Sequence, residues 1–122
     1  MAITIEQIRH GIAWKMVDRF QKGYELKDKS MARLLGISDS TFARHRRNEI
    51  SLGLVESDRF CRAMAIFELA TRIFETKERA MRWLQRLQPG LAEKIPLEIL
   101  DTEPGSRAVQ RLLTQIEHGV LP

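Results

Sequence analysis

Few side chains in this 122-residue chain could do catalytic or metal chemistry, and they are scattered. The three histidines, His10, His45 and His118, show no metal-ligand spacing, so the sequence predicts no metal site and no cofactor. Cys61, the single cysteine, lies among apolar residues, whereas a nucleophilic thiolate needs an electropositive, partly exposed setting. No glycine-rich phosphate loop is present. The pattern favours a protein that is not an enzyme.

A different chemistry is indicated by hydroxyl and arginine side chains between residues 38 and 47. Arginine reads guanine edges or grips phosphate, and hydroxyl groups bind phosphate or base edges. We expect the residues that contact double-stranded operator DNA to be Ser38, Ser40, Thr41, Arg44 and Arg47. The pattern leaves open whether each arginine reads a base, binds phosphate or is simply solvated.

The charge distribution agrees with a DNA partner. The net charge of the chain is +4, and residues 1–50 carry ten basic and six acidic residues. Residues 51–122 carry ten of each kind, so the whole excess lies in the first half. A phosphate backbone would be attracted to that half, although a modestly basic surface without a partner would show the same charge.

A helix-turn-helix would position these side chains. Its helices are predicted over residues 28–35 and 38–48, with Gly36 at the tight turn and Ser38 as the second N-cap. Its small core is expected to contain Met31, Leu35, Ile37 and Phe42. With Phe42 facing inward, the start of the second helix would enter the major groove.

His45 departs from the usual pattern of this motif. It occupies a position on the second helix where an aliphatic residue is usual. We therefore expect it to be a partly buried packing residue and not a DNA contact or a metal ligand.

Apolar periodicity predicts the other helices, and strand-like alternation is nearly absent, so the predicted fold class is all-α. The predicted spans are Thr4–Lys22, Val55–Phe74, a helix capped by Thr76 and ending near Leu87, Pro96–Leu100, and a last helix from the Asp101-Thr102 cap to Gly119. Eleven of the fifteen residues from Phe60 to Phe74 are apolar, which predicts burial on more than one side and suggests a homodimer. We expect one domain over residues 1–55 and another over residues 56–122.

Sorting signals are not evident. No run of 18 apolar residues predicts a membrane span, and charges at Glu6, Arg9 and Lys15 argue against a signal peptide. A single cysteine fits a reducing compartment. We expect a cytoplasmic protein with no membrane partner.

An ordered set of residues runs through some fifty positions of the second half. In chain order the set is Leu69-Ala70, Phe74, Ala80, Trp83-Leu84, Pro96-Leu97-Glu98, Leu100-Asp101-Thr102, Gly105, Val109, Leu112-Leu113, Ile116-Glu117 and Gly119. This order and spacing resembles the toxin-binding domain of Xre/MbcA/ParS-type antitoxins. The segments LLGIS–TFARHRR and VESDR are similar to the Xre-like N-terminal domain of the same family, so the resemblance covers residues 25–122. It departs from the family at residues 92–94, where a glycine-containing turn is common.

The resemblance implies a type II antitoxin of a RES–Xre system, with an Xre-like helix-turn-helix followed by a small helical domain for toxin binding and dimerisation. The implied partner is a RES-domain toxin, which degrades NAD⁺ and whose active site the antitoxin blocks. The helix-turn-helix would then regulate the operon of the pair. The residues implied to contact the toxin are Trp83, Leu91, Lys94, Glu117, Val120, Leu121 and Pro122.

Other interpretations remain open at this stage. Trp83 could simply be a core residue of its domain. The chain could be a stand-alone helix-turn-helix repressor whose second half dimerises or senses a ligand. It could also be a protein-binding adapter that no longer binds DNA usefully.

Overall fold

The computed structural model describes residues 3–119, and over that range the chain is helical with no β-strand. The predicted all-α fold is therefore confirmed. The chain also makes a 3₁₀ turn at Pro89–Leu91 and one isolated bridge between Gln88 and Lys94. The α-helices are α1 (Ile5–His10), α2 (Trp14–Gly23), α3 (Asp28–Leu35), α4 (Asp39–Arg47), α5 (Leu54–Phe74), α6 (Lys77–Leu84), α7 (Pro96–Ile99) and α8 (Glu103–Glu117).

The chain divides into two compact units, residues 1–62 and residues 63–122, which we call the N-terminal and C-terminal units. The division falls inside α5, so this helix contributes residues to both. The buried side chains of the N-terminal unit include Trp14, Val17, Phe20, Met31, Leu34, Leu35, Phe42 and Phe60. Those of the C-terminal unit include Phe67, Leu84, Pro96, Val109, Leu112 and Leu113.

Helix α5 is apolar nearly all round, as the sequence predicts. The apolar residues of α5 that are buried within the chain are Phe60, Ala63, Met64, Ile66, Phe67 and Ala70. The apolar character of this helix therefore needs no second copy to explain it. Within the described range, no helix combines the length and apolarity that crossing a bilayer requires.

The prediction of one helix from Thr4 to Lys22 is wrong, because the chain leaves the helical path at Gly11, between α1 and α2. Gly11 has a left-handed φ of 96°, and a Cβ there would lie 2.6 Å from the Leu52 carbonyl oxygen. The Ile12 N–H donates to Ser57 Oγ at 3.0 Å, and the Ile12 carbonyl accepts the Leu52 N–H at 3.0 Å. Bonds to Leu52, just before α5, and to Ser57, in the first turn of α5, thus replace the helical bonds of Ile12, and they override the local apolar pattern.

Most other helix ends agree with the predictions. Thr4, Ser38, Thr76 and Thr102 each cap a helix through the side-chain oxygen, as their positions predict. Helix α6 is shorter than predicted, since it ends at Leu84 and leaves Leu87 62% exposed. The Trp83 carbonyl accepts from Gln88 Nε2 at 3.0 Å, and this side-chain bond closes the helix end.

We predict that Ser57→Ala lowers the free energy of unfolding by about 1–3 kcal/mol, because the fully buried Ser57 hydroxyl binds both Ile12 N–H and the Leu52 carbonyl. Urea denaturation of the full chain measures the change. Ser51→Ala is the matched control, because Ser51 is exposed and its loss should cost less than about 0.5 kcal/mol. Equal losses in the two variants would contradict the proposed role of the Ser57 hydroxyl.

Candidate functional site

Helices α3 and α4 form the predicted helix-turn-helix. Gly36 ends α3 in the left-handed region, with φ 72° and ψ 32°, and the Ile37 N–H returns to the Ala32 carbonyl at 3.1 Å. Of the four predicted core residues, Met31, Leu35 and Phe42 are buried, and Ile37 is half-buried. The turn is therefore held by a small apolar core and by helix-end hydrogen bonds.

Arg59 of α5 closes the turn from the other side. Its Nη1 donates to the Leu35 carbonyl at 3.1 Å, and a Cβ at Gly36 would lie 2.2 Å from the same atom. Gly36 is thus required by its left-handed φ, whereas the end of the flexible Arg59 side chain would only have to shift to admit a Cβ. The sequence pattern predicted glycine at this turn and missed the contact of Arg59, because Arg59 is 24 residues away from Leu35.

The outer face of α4 carries a polar stripe. Ser40, Arg44 and Arg47 are exposed and follow one another at spacings of four and three residues, which places them on one side of the helix. Three of the five predicted DNA contacts therefore share one surface. This stripe starts at the helix N-terminus, the end of a second helix that enters the major groove in proteins with this motif.

The other two predicted contacts, Ser38 and Thr41, bind each other. Ser38 Oγ accepts the Thr41 N–H at 3.1 Å and donates to Thr41 Oγ1 at 2.8 Å. These hydroxyls therefore build the N-cap of α4. Their first role is to hold the helix end from which the stripe begins.

Arg46 faces the opposite way from its neighbours Arg44 and Arg47, and sequence reasoning missed it. Its Nη1 donates to Asp28 Oδ1 at 3.0 Å, and its Nη2 donates to Gln21 Oε1 at 2.6 Å. Asp18 Oδ1 lies 3.4 Å from Nε, which is close enough for an ion pair, although Nε makes no hydrogen bond among the described residues.

The Arg46 guanidinium also covers an aromatic pair. Its Cζ lies 4.5 Å from the centre of the Phe42 ring and 5.9 Å from that of Trp14, and these rings meet edge to face at 5.1 Å. Sequence offers one signal for this arrangement. Arg46 follows the inward-facing Phe42 by four residues, one turn of α4, and so lies on the same side of that helix.

The pKa of Asp28 is lowered in this network. The hydrogen bond from Gln21 is the largest influence that lowers the pKa of Asp28 below its ordinary value of 3.8, and the hydrogen bond and charge of Arg46 act in the same direction. Desolvation opposes them. The charged form of Asp28 is therefore favoured in the folded protein.

Two further residues that could carry chemistry lie on helices of the N-terminal unit. His45 is half-buried on α4, as its position predicts, and Cys61 is half-buried on α5. Within residues 3–119, no three His, Cys, Asp or Glu side chains come close enough together to hold a metal ion.

In the C-terminal unit, the residues proposed from the resemblance lie in different surroundings. Trp83 is half-buried and its ring packs 5.6 Å from the centre of Phe74. Leu91 is 8% exposed, so its side chain belongs to the interior of the unit, whereas Lys94 is exposed. Glu117 is at the surface and pairs with Arg72 at 2.9 Å. Val120, Leu121 and Pro122 lie outside the described residues.

The segment between α6 and α7 contains two consecutive non-glycine residues in the left-handed region. Ala92 has φ 55° and Glu93 has φ 61°. The turn is held by the Glu93 N–H on the Gln88 carbonyl at 3.1 Å and by the Gln88 N–H on the Lys94 carbonyl at 3.0 Å. The turn thus adopts the left-handed backbone without glycine, at a cost of about 1 kcal/mol or more for each side chain.

Comparison with protein families gives two matches that follow one another along the chain. Residues 4–60 match the antitoxin Xre-like helix-turn-helix domain. Residues 69–119 match the antitoxin Xre/MbcA/ParS C-terminal toxin-binding domain. The chain belongs to the Xre/MbcA/ParS family of antitoxins. The first match also extends the family likeness to residue 4, beyond the residues 25–122 that the sequence resemblance covers.

Individual relatives carry the same description as the family. The chain is 28% identical to "Antitoxin Xre" of Photorhabdus laumondii over 93% of its own length and 78% of that protein. It is 25% identical to "Antitoxin Xre" of Yersinia enterocolitica over 97% of its own length and 80% of that protein. A shorter match, 33% identical, covers 52% of the chain and 40% of "Antitoxin Xre" of Pseudomonas putida. As a member of this antitoxin family with a helix-turn-helix, the chain antagonises a toxin and carries a DNA-binding motif.

The lowered pKa of Asp28 predicts a pH-dependent contribution to stability. A lowered folded-state pKa stabilises above the ordinary value of 3.8, and this contribution is lost as the pH falls through the folded-state pKa. The melting temperature of wild type should therefore exceed that of Asp28→Asn at pH 7, and the difference should shrink below pH 3.8. Gln21→Met should weaken this dependence, because it removes the largest influence on the Asp28 pKa. A difference that stays constant far below pH 3.8 would contradict the assignment.

Proposed function

We propose that this chain neutralises a RES-domain toxin by covering its NAD⁺-degrading active site with the C-terminal unit. We also propose that the chain represses its own operon by binding operator DNA through α4. The match of residues 69–119 to a toxin-binding domain carries the first proposal. The exposed stripe on α4 carries the second. In both roles the chain acts in the cytoplasm by binding and performs no catalysis.

The electrostatics of the N-terminal unit support DNA binding. Arg44 and Arg47 are exposed on the stripe, while the charge of Arg46 is paired internally with Asp18 and Asp28. Two acidic residues of this unit are thus oriented toward Arg46. The positive charge that remains at the surface of α4 lies on the side where a second helix reads the groove.

The proposed DNA complex contains a homodimer, because two-fold operators are read by two copies of a helix-turn-helix. Three apolar side chains after α4 remain at the surface of the N-terminal unit. Ile50 is 43% exposed, Leu54 is 60% exposed and Val55 is 56% exposed. Their proximity in the chain supports this segment as the surface for the second copy.

For the toxin we propose a surface around the turn that follows α6. This surface contains Trp83, Leu87 and Lys94. The exposed apolar side chain of Leu87 would lose its contact with water in a complex. The Leu91 side chain is left out because it is buried. Glu117 and the tail residues Val120, Leu121 and Pro122 remain part of the proposed contact.

We predict that Arg44→Met and Arg47→Met each weaken DNA binding by about tenfold, since one arginine–guanine pair is worth roughly 1–3 kcal/mol. Fluorescence anisotropy would be measured with a labelled duplex from directly upstream of the gene. Arg86→Met is the matched control, because Arg86 is an exposed arginine of the C-terminal unit and its loss should leave the Kd unchanged. Wild-type affinity in both α4 variants would exclude the stripe as the DNA surface, and titration above the Kd should give two chains per duplex.

We predict that co-expression of the full chain relieves the growth arrest caused by a RES-domain protein encoded next to it. Leu87→Ala should weaken this rescue and leave the melting temperature close to that of wild type, because Leu87 is exposed. Ile5→Ala is the control, since Ile5 is 65% exposed but lies on α1, and its rescue should equal that of wild type.

These experiments test toxin neutralisation and operator binding separately. If wild type fails to rescue, toxin neutralisation is wrong. Intact operator binding in that case would instead support a stand-alone repressor. If rescue is full in both wild type and Leu87→Ala, the toxin contacts lie elsewhere on the C-terminal unit.

A further inference from the structure

Arg46, the inward arginine of α4, lies in different surroundings from Arg44 and Arg47. Arg44 and Arg47 are exposed, whereas the Arg46 side chain is 32% exposed and bound by groups from two other helices. Its charge faces Asp18 at 3.4 Å and Asp28 at 3.0 Å. To reach a phosphate, the guanidinium would have to give up its contacts with both carboxylates and its hydrogen bond to Gln21.

The contacts of Arg46 connect three helices through one rigid group. Gln21 and Asp18 belong to α2, Asp28 begins α3, and Arg46 itself belongs to α4. The guanidinium is planar and presents donors in a fixed fork, so it can bind a carboxylate and an amide oxygen while it lies over an aromatic ring. A lysine ammonium could not make these contacts in the same geometry.

The position of α4 determines which atoms reach the DNA. The helix has nine residues and is too short to be stable alone, so its tilt and rotation depend on the contacts of its inner face. That face is anchored by the buried Phe42 ring and by Arg46, which covers the ring. A small rotation of α4 would break the bonds to Gln21 and Asp28 and would misalign the exposed stripe with the base edges.

We propose that Arg46 is a positioning residue for DNA recognition: it clamps α4 to α2 and α3 and makes no phosphate contact of its own. This inference rests on the DNA-binding half of the proposed function. It predicts that loss of Arg46 impairs sequence discrimination and leaves the number of phosphate contacts unchanged.

Salt dependence distinguishes a clamp from a phosphate contact. Each lost phosphate contact reduces the slope of log K against log salt concentration by about 0.9. Arg46→Met should weaken binding to the upstream duplex by about tenfold or more and leave this slope unchanged. Its affinity for a duplex of random sequence should also equal that of wild type. Arg47→Met provides the comparison for a residue that reaches the DNA directly.

A second variant, Asp28→Asn, tests the clamp through the direction in which DNA affinity changes. Removal of the negative charge of Asp28 should strengthen DNA binding if only electrostatic attraction matters. The clamp predicts the opposite, because Asp28→Asn weakens the anchor of Arg46. Glu25→Gln is the matched control: Glu25 lines the same groove of about 610 Å³ as Asp28 and Arg46, but it is not among the acids that pair with Arg46 in the described part of the chain. This control should bind the upstream duplex as tightly as wild type or more tightly.

The outcomes separate the clamp from its alternatives. A reduced salt slope in Arg46→Met would overturn the proposal in favour of a direct phosphate contact, and an unchanged affinity would overturn it outright. If Arg46→Met is unfolded by circular dichroism at the assay temperature, Asp28→Asn decides, and tighter binding by that variant overturns the clamp. Failure of wild type to bind the upstream duplex in any salt would instead refute the DNA-binding function on which the clamp rests.

Discussion

Burial of Phe42 is the constraint on which the N-terminal unit depends. The side chain is 1% exposed, and its ring meets Trp14 of α2 edge to face at 5.1 Å. A nine-residue helix gains its stability mainly from such tertiary packing. Once this ring is buried, the helical repeat sets the direction of every other side chain on α4. His45 and Arg46, one turn further along the helix, are half-buried, and the stripe that contains Ser40, Arg44 and Arg47 faces outward.

The buried polar residues Gln21 and Ser57 are each satisfied by specific partners. Gln21 is 8% exposed, and its amide donates to the Leu26 carbonyl at 3.0 Å and to Asp28 at 2.6 Å. Its oxygen accepts from Arg46 at 2.6 Å. Ser57 serves the same purpose between Ile12 and Leu52. A buried network of this kind favours one arrangement of the helices, because any other arrangement would leave polar groups without partners.

In the C-terminal unit, the main local constraint is the turn between α6 and α7. The segment between α6 and α7 must reverse direction over a few residues, and Ala92 and Glu93 do so in the left-handed region without glycine. The surrounding structure must offset this strain, and it does so by burying Leu91 and by closing the turn with backbone bonds to Gln88. The turn that begins beside the exposed Leu87 is thereby held in a defined shape.

The sequence alone determined what depends on near neighbours in the chain. The caps at Ser38, Thr76 and Thr102, the turn at Gly36 and the inward direction of Phe42 follow from spacings of a few residues, and the outward stripe follows from them. The order of residues in the second half was also sufficient to indicate the antitoxin family.

Tertiary structure decided what depends on residues far apart in the chain. The break at Gly11 is held by a bond between residues 45 positions apart, and the inward turn of Arg46 involves a partner 25 positions away. No local pattern encodes these contacts, because each depends on which groups the completed fold brings within hydrogen-bond distance. The sequence therefore indicated the face of α4 that we propose as the DNA surface, and the tertiary structure showed what holds that face in place.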